Sequence, residues 1–201
     1  MTLIKVCGIC DAASAASAVE AGADLLGFHF CPSPRRVTAE EARAIVDSLD
    51  RRPQIVGVFI DQSPAEVAAI AERVGLDHVQ LHGSEPSGYD APRPPIKVLK
   101  VRDGAVPDAE GWPDPVLLDS WTPDQRGGTG RAWDWDRARP LLASRKVIVA
   151  GGLNPGNVGS LVERYRPYGV DVSSGVESRP RVKDPALLRA FVRAVREADR
   201  R

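Results

Sequence analysis

The chain has no surplus of charge. Its 27 Lys and Arg balance 27 Asp and Glu, for a formal net charge of zero. A general binder of nucleic acid or of an anionic membrane surface would carry a basic excess, so neither partner is expected. Cysteine is scarce and odd in number: Cys7, Cys10 and Cys31 are the only three, which is not the disulfide framework of a small secreted domain. No apolar run approaches the roughly 20 residues of a membrane span. Met1-Thr2 leads straight into a strand, with no charged-then-apolar leader. A soluble cytoplasmic protein is expected. No Gly/Ser linker and no break in composition divide the chain, which predicts a single domain over residues 1–201. A Gly-x-Gly-x-x-Gly turn, the mark of an open dinucleotide-binding sheet, is missing after the first strand. Cys7-Gly8-Ile9-Cys10 stands there instead.

What is present is an alternation of strands and helices. Eight apolar segments read as strands: Ile4–Cys7, Leu25–Phe30, Ile55–Phe59, His78–His82, Ile96–Val101, Val116–Asp119, Val147–Ala150 and Gly169–Ser173. Helix starts fall between them. Asp11 can cap one helix, and Gly22 lies past its end. Thr38 with Glu41, and Ser63 with Glu66, are capping boxes. Asp134 or Asp136 opens a helix, Asn154-Pro155 reads as an N-cap with Pro at the first helical position, and a final helix runs from Pro185 to about Ala198. The segments after the fourth and fifth strands are Pro-rich or weak, so their helices are expected to be short or missing. Eight βα units in about 200 residues predict an α/β fold, a parallel eight-stranded (β/α)8 TIM barrel near its lower size limit.

In such a barrel the site lies where strands end. The strand ends carry Cys7, Gln80, His82, Asp119, Gly151-Gly152, Asp171 and Ser173-Ser174-Gly175. The last two loops match the usual phosphate position, with Ser173 to Glu177 reading as the start of a short helix. A phosphorylated small molecule is therefore the expected ligand. Cys7 has three readings: a base or nucleophile, half of a Cys-x-x-C pair with Cys10, or a small buried hydrophobe. Asp119 is either an acid facing Cys7 across the mouth or a loop-capping carboxylate. Arg35 or Arg36 could hold a carboxylate or phosphate. His78 and His82 lie four apart on a strand, roughly 13 Å, too far to share a metal. No metal is expected, and ordinary packing or hydrogen bonding is the reading for His29, His78 and His82. Trp121 could cover a bound ring.

These pieces resemble the phosphoribosylanthranilate isomerase family. The matching segments are Lys5–Ile9, Gly27–Phe30, Ser33–Arg35, Val56–Phe59, Val79–Gly83, Leu117–Asp119, Gly127–Gly130, Gly151–Pro155 and Val170–Glu177, in order along nearly the whole chain. The resemblance implies an Amadori rearrangement of N-(5-phosphoribosyl)anthranilate in tryptophan biosynthesis, without cofactor or metal. It implies Asp119 as general acid on the ribose ring oxygen and Cys7 as the base that takes the C2 proton. It places the anthranilate part on Arg35, with Arg36 as the second choice. Asp171, Gln80 and His82 join the substrate-binding set, and Gly151, Gly152, Ser173, Ser174 and Gly175 hold the phosphate. The chain departs from the family in a loop one residue shorter before Arg35, and in Cys10 where threonine is usual. The thin flank after strands four and five leaves a monomer or a homodimer open.

Overall fold

The computed structural model describes residues 1–102, 105–120 and 134–201. Eight parallel strands close into a ring in chain order: β1 (Leu3–Cys7), β2 (Leu25–His29), β3 (Gln54–Phe59), β4 (His78–Leu81), β5 (Pro95–Val101), β6 (Val116–Ser120), β7 (Val147–Val149) and β8 (Gly169–Val172). Helices α1 (Ala12–Ala21), α2 (Ala39–Asp47) and α3 (Pro64–Val74) follow the first three strands. Helices α4 (Arg139–Ser144), α5 (Val158–Tyr165) and α6 (Pro185–Asp199) follow the last three. The start signals act as expected. Asp11 accepts from Ser14 N–H, both capping boxes form, and Gly22 takes a left-handed φ of 104° past α1.

One start differs. Asn154 Oδ1 accepts from Gly156 N–H, which curls residues 154–157 into a turn. Helix α5 therefore begins at Val158, three residues beyond the position expected for Pro155. A short hairpin, β9 (Glu177–Arg179) with β10 (Val182–Lys183), was not foreseen.

Register fixes which side chains face inward. Lys5 and Cys7 pair with Leu25 and Gly27, and His29 with Val58. Val58 pairs with Gln80, Lys100 with Asp119, and Lys5 with Asp171 across the closing seam. Paired residues on neighbouring strands share a face. Lys5, Cys7, His29, Gln80, Lys100, Asp119 and Asp171 therefore all face the lumen. Leu25, Val56, Ile96, Val98, Leu117, Ile148 and Ala150 form an apolar plug inside the ring. The opposite faces of the strands carry a second, larger core against the helices.

Among the described residues no helix lies between β4 and β5 or between β5 and β6. The strand backs there are nonetheless covered. Leu81, Leu99, Val101 and Leu118 are buried, with Tyr89, Val106 and Trp112 packed against their core. Lys97 faces outward and is buried with Glu85 (Nζ–Oε2 2.7 Å), 5.1 Å from the centre of the Trp112 ring. Loops do the covering at these strands.

Candidate active site

Cys7 reaches the mouth because Gly8 turns the backbone away at once, with a φ of 74°. The thiol is 4% exposed, and its Sγ lies 3.3 Å from His29 Nε2. Burial pushes its pKa up, the Lys5 ammonium opposes the rise, and the Asp171 carboxylate adds to it. Lys5 is fully buried and bonds Asp171 (Nζ–Oδ1 2.9 Å). Burial disfavours its charge, but Asp171 and then Cys7 more than reverse that, so its pKa is raised. Removing one member of such a buried pair strands a charge, at a cost of about 3–5 kcal/mol.

Gly27 explains how so much chemistry fits. It sits beside Cys7 in register. A methyl there would lie 2.8 Å from Cys7 Sγ and 3.1 Å from Lys5 Nζ. Gly27→Ala is expected to lower turnover about 100-fold by displacing the thiol, and steady-state kinetics beside a thermal melt separates this from unfolding. Unchanged kinetics would show that the sulfur has room to move.

On the far side of the mouth, Asp119 lies with its Oδ2 3.8 Å from His82 Nε2. That exceeds hydrogen-bond range. Burial, then Lys100 and Lys5, bring the His82 pKa down to about 4, so its ring is neutral at pH 7. Burial with Lys5, Arg35, His82 and Lys183 lowers His29 to about 3. Both histidines protonate near 6.5 once unfolded. The unfolded chain therefore binds more protons than the folded one between about pH 6.5 and the folded values. Stability should fall as pH drops through that window, and less so in His82→Gln. Equal acid loss in both proteins by thermal melts would refute this.

The two loops after β7 and β8 touch each other. Gly151 and Gly152 both take positive φ, 88° and 67°. At Gly175 a Cβ would fall on the Leu153 carbonyl, so only glycine lets these loops meet. Ser174–Val176 is a single 3-10 turn, a short helical element at the place expected for one. Ser173 Oγ and Gln80 Oε1 are buried without a hydrogen-bond partner among the described residues, a cost that a bound ligand or water would remove.

The two arginines part company. Arg35 donates Nε and Nη2 to Glu177 at 2.7 and 2.6 Å. Glu177 also accepts from the buried Lys183 (3.0 Å). Burial alone would raise the Glu177 pKa, and Arg35 with Lys183 lower it overall. Arg36 is exposed and forms a parallel bridge with His29.

The structure thus gathers Cys7, Gln80, His82, Asp119 and Asp171 on the lumen side of one ring. It separates Cys10, whose Sγ contacts the Gly8 and Arg35 carbonyls at 3.5 Å. Cys10→Thr should keep turnover within about twofold, since surface-type changes away from a network cost little. A larger loss in the same kinetic assay would tie Cys10 to the site. Lys5, His29 and Lys183 are the neighbours that sequence reasoning missed. Lys5 alone had a signal, a lysine alternating onto the face of Cys7. The Gly127–Gly130 segment, Trp121 and Trp133 lie outside the described residues. Among those described, no cluster of three or more His, Cys, Asp or Glu could hold a metal ion. No described helix is long and apolar enough to cross a membrane.

A closed parallel ring with titratable side chains gathered at its C-terminal mouth defines a (β/α)8-barrel protein with the layout of an acid–base enzyme. Comparison with known proteins narrows the class. The family description "N-(5'phosphoribosyl)anthranilate (PRA) isomerase" matches residues 4–194. N-(5'-phosphoribosyl)anthranilate isomerase of Desulforudis audaxviator is 47% identical over 98% of this chain and 100% of its own. The crystal structure of the Thermus thermophilus phosphoribosyl anthranilate isomerase superposes with a TM-score of 0.87 at 39% identity, over 98% of this chain and 99% of that one. A phosphoribosyl anthranilate isomerase in complex with reduced 1-(o-carboxyphenylamino)-1-deoxyribulose 5-phosphate gives 0.82 at 33%, over 98% of this chain and 100% of that one. The chain belongs to the N-(5'-phosphoribosyl)anthranilate isomerase family.

Proposed function

We propose that this protein converts N-(5-phosphoribosyl)anthranilate to 1-(o-carboxyphenylamino)-1-deoxyribulose 5-phosphate, an Amadori rearrangement in tryptophan biosynthesis. One observation carries the reading: within a full-length family match, a buried thiol on β1 and a carboxylate on β6 face one lumen. Asp119 gives a proton to the ribose ring oxygen. The C1–O bond breaks as the anthranilate nitrogen lone pair forms a protonated Schiff base. Cys7, as thiolate, takes the C2 proton, and the electrons of that bond make an enolamine. Protonation at C1 and loss of the O2 proton give the ketone. Every atom is conserved, and no electron acceptor is needed.

The Gly151-Gly152 and Ser173-Ser174-Gly175 loops take the phosphate. Arg36 is the better candidate for the anthranilate carboxylate, because the Arg35 fork is already satisfied by Glu177. Arg35 is the position that the family's Ser-x-Arg step assigns, and Arg36 takes its place in this proposal. Gln80 and His82 line the substrate between the two ends, and Asp171 supports it through Lys5. The protein works as one barrel domain in the cytoplasm, as a monomer or homodimer that sedimentation would tell apart. The test is the fall of anthranilate-type fluorescence as freshly made substrate is consumed, in the presence of a chelator. No consumption by wild-type protein would overturn the activity.

A further inference from the structure

The contact between Cys7 and His29 has no part in the chemistry above. A thiol against an imidazole is the arrangement that makes an ion pair in many cysteine nucleophiles. Here the surroundings forbid that pair. Burial disfavours a charge on His29 first, and Lys5 on β1, Arg35 in the following loop, His82 after β4 and Lys183 on β10 add to it. A positive charge on its ring is strongly disfavoured. The ring must therefore work neutral, and a neutral imidazole has one donor nitrogen and one acceptor nitrogen.

Ser33 can serve either arrangement, and the sulfur decides between them. The Ser33 Oγ lies 2.9 Å from His29 Nδ1 and accepts the Arg35 backbone N–H at 3.1 Å. A second lone pair and the hydroxyl proton remain, so Ser33 can either accept from Nδ1 or donate to it. When the sulfur is ionised, Nε2 must carry the hydrogen toward it, and Nδ1 then accepts the Ser33 hydroxyl proton. A thiolate can only accept, so this tautomer is the one that suits the ionised sulfur. The chain of donors runs Arg35 N–H to Ser33, Ser33 O–H to His29 and His29 N–H to sulfur. Lys5, held by Asp171, supplies the charge from the other side.

We propose that His29 is a positioning residue: a neutral hydrogen-bond donor, with its Nδ1 served by the Ser33 hydroxyl, that stabilises the Cys7 thiolate. The proposal rests on Cys7 being the base. It adds that the base is made available by a donor on the neighbouring strand and not by an imidazolium.

The test titrates Cys7 by its ultraviolet thiolate absorbance, taken as the part of the signal lost in Cys7→Ser. This readout does not depend on which reaction is catalysed. A hydrogen bond to a charged group is worth roughly one pKa unit or more. His29→Val should therefore raise the Cys7 pKa by about one unit, a tenfold change in thiolate at pH 7, and move the rising limb of kcat/KM by the same amount. His29→Gln, whose amide keeps a neutral donor, should restore most of both. No shift in His29→Val overturns the proposal. A shift that His29→Gln fails to restore also overturns it, because the ring would then be acting as a base or as packing. If the His29 variants show the shift and its restoration but wild-type protein gives no isomerisation, the functional reading fails while the proposal stands.

Discussion

Cys7→Ser is expected to lower turnover by about 10³- to 10⁴-fold, the upper range for removal of a general base. Serine keeps the shape of the side chain in a pocket where the thiol is 4% exposed. Its hydroxyl ionises far above any working pH, so Lys5 and His29 would face a group that cannot carry the charge they are placed to hold. Binding should survive, because the loops after β7 and β8 are untouched. The measurement pairs kcat with the affinity for a reduced product analogue. Wild-type turnover in this variant would remove Cys7 from the reaction. In the unaltered enzyme, burial holds the Cys7 pKa above its ordinary value. Activity limited by the thiolate should therefore rise with pH through the neutral range.

Asp119→Asn should cost about 10²- to 10⁴-fold in kcat by the same reasoning. The amide matches the carboxyl in size and still offers hydrogen bonds, but it has no acidic proton for the ring oxygen. His82 is too weakly protonated to take over at neutral pH, since its pKa is brought down to about 4. The loss should appear in kcat more than in KM. A variant with normal kcat would place the acid elsewhere on the ring, and the double variant with His82→Gln would then show whether the imidazole supplies it.

Much of this was legible in the residues because barrels turn a linear pattern into a site. Eight apolar runs with caps between them set the topology, and strand ends marked the mouth. Cys7 and Asp119 could be picked because each ends its apolar run with a titratable group. The role of Arg35 was not legible. Its partner Glu177 is 142 residues away in the chain, and only the closed ring brings them together. His29 looked like one polar residue in an apolar strand, and its meaning depends on Ser33 and Cys7 together. The start of α5 was misjudged because Asn154 can cap a helix or curl a turn, and proline at 155 suits both. Covering of the thin flank depended on Lys97 and Glu85 meeting under Trp112, a pairing with no local signal.

The ring closes between its first and last strands, and the Lys5–Asp171 and Arg35–Glu177 pairs both span that join. The proposed base is thus made well before Asp171 and Lys183, whose charges act on it in the finished ring. A nascent chain seven strands long would already hold the thiol but lack the carboxylate behind Lys5 and the loop for phosphate. Catalysis then becomes a report on completion. Stalled or truncated chains should be silent, and the return of activity during refolding should track the last docking of β8 and α6 rather than the first appearance of helix.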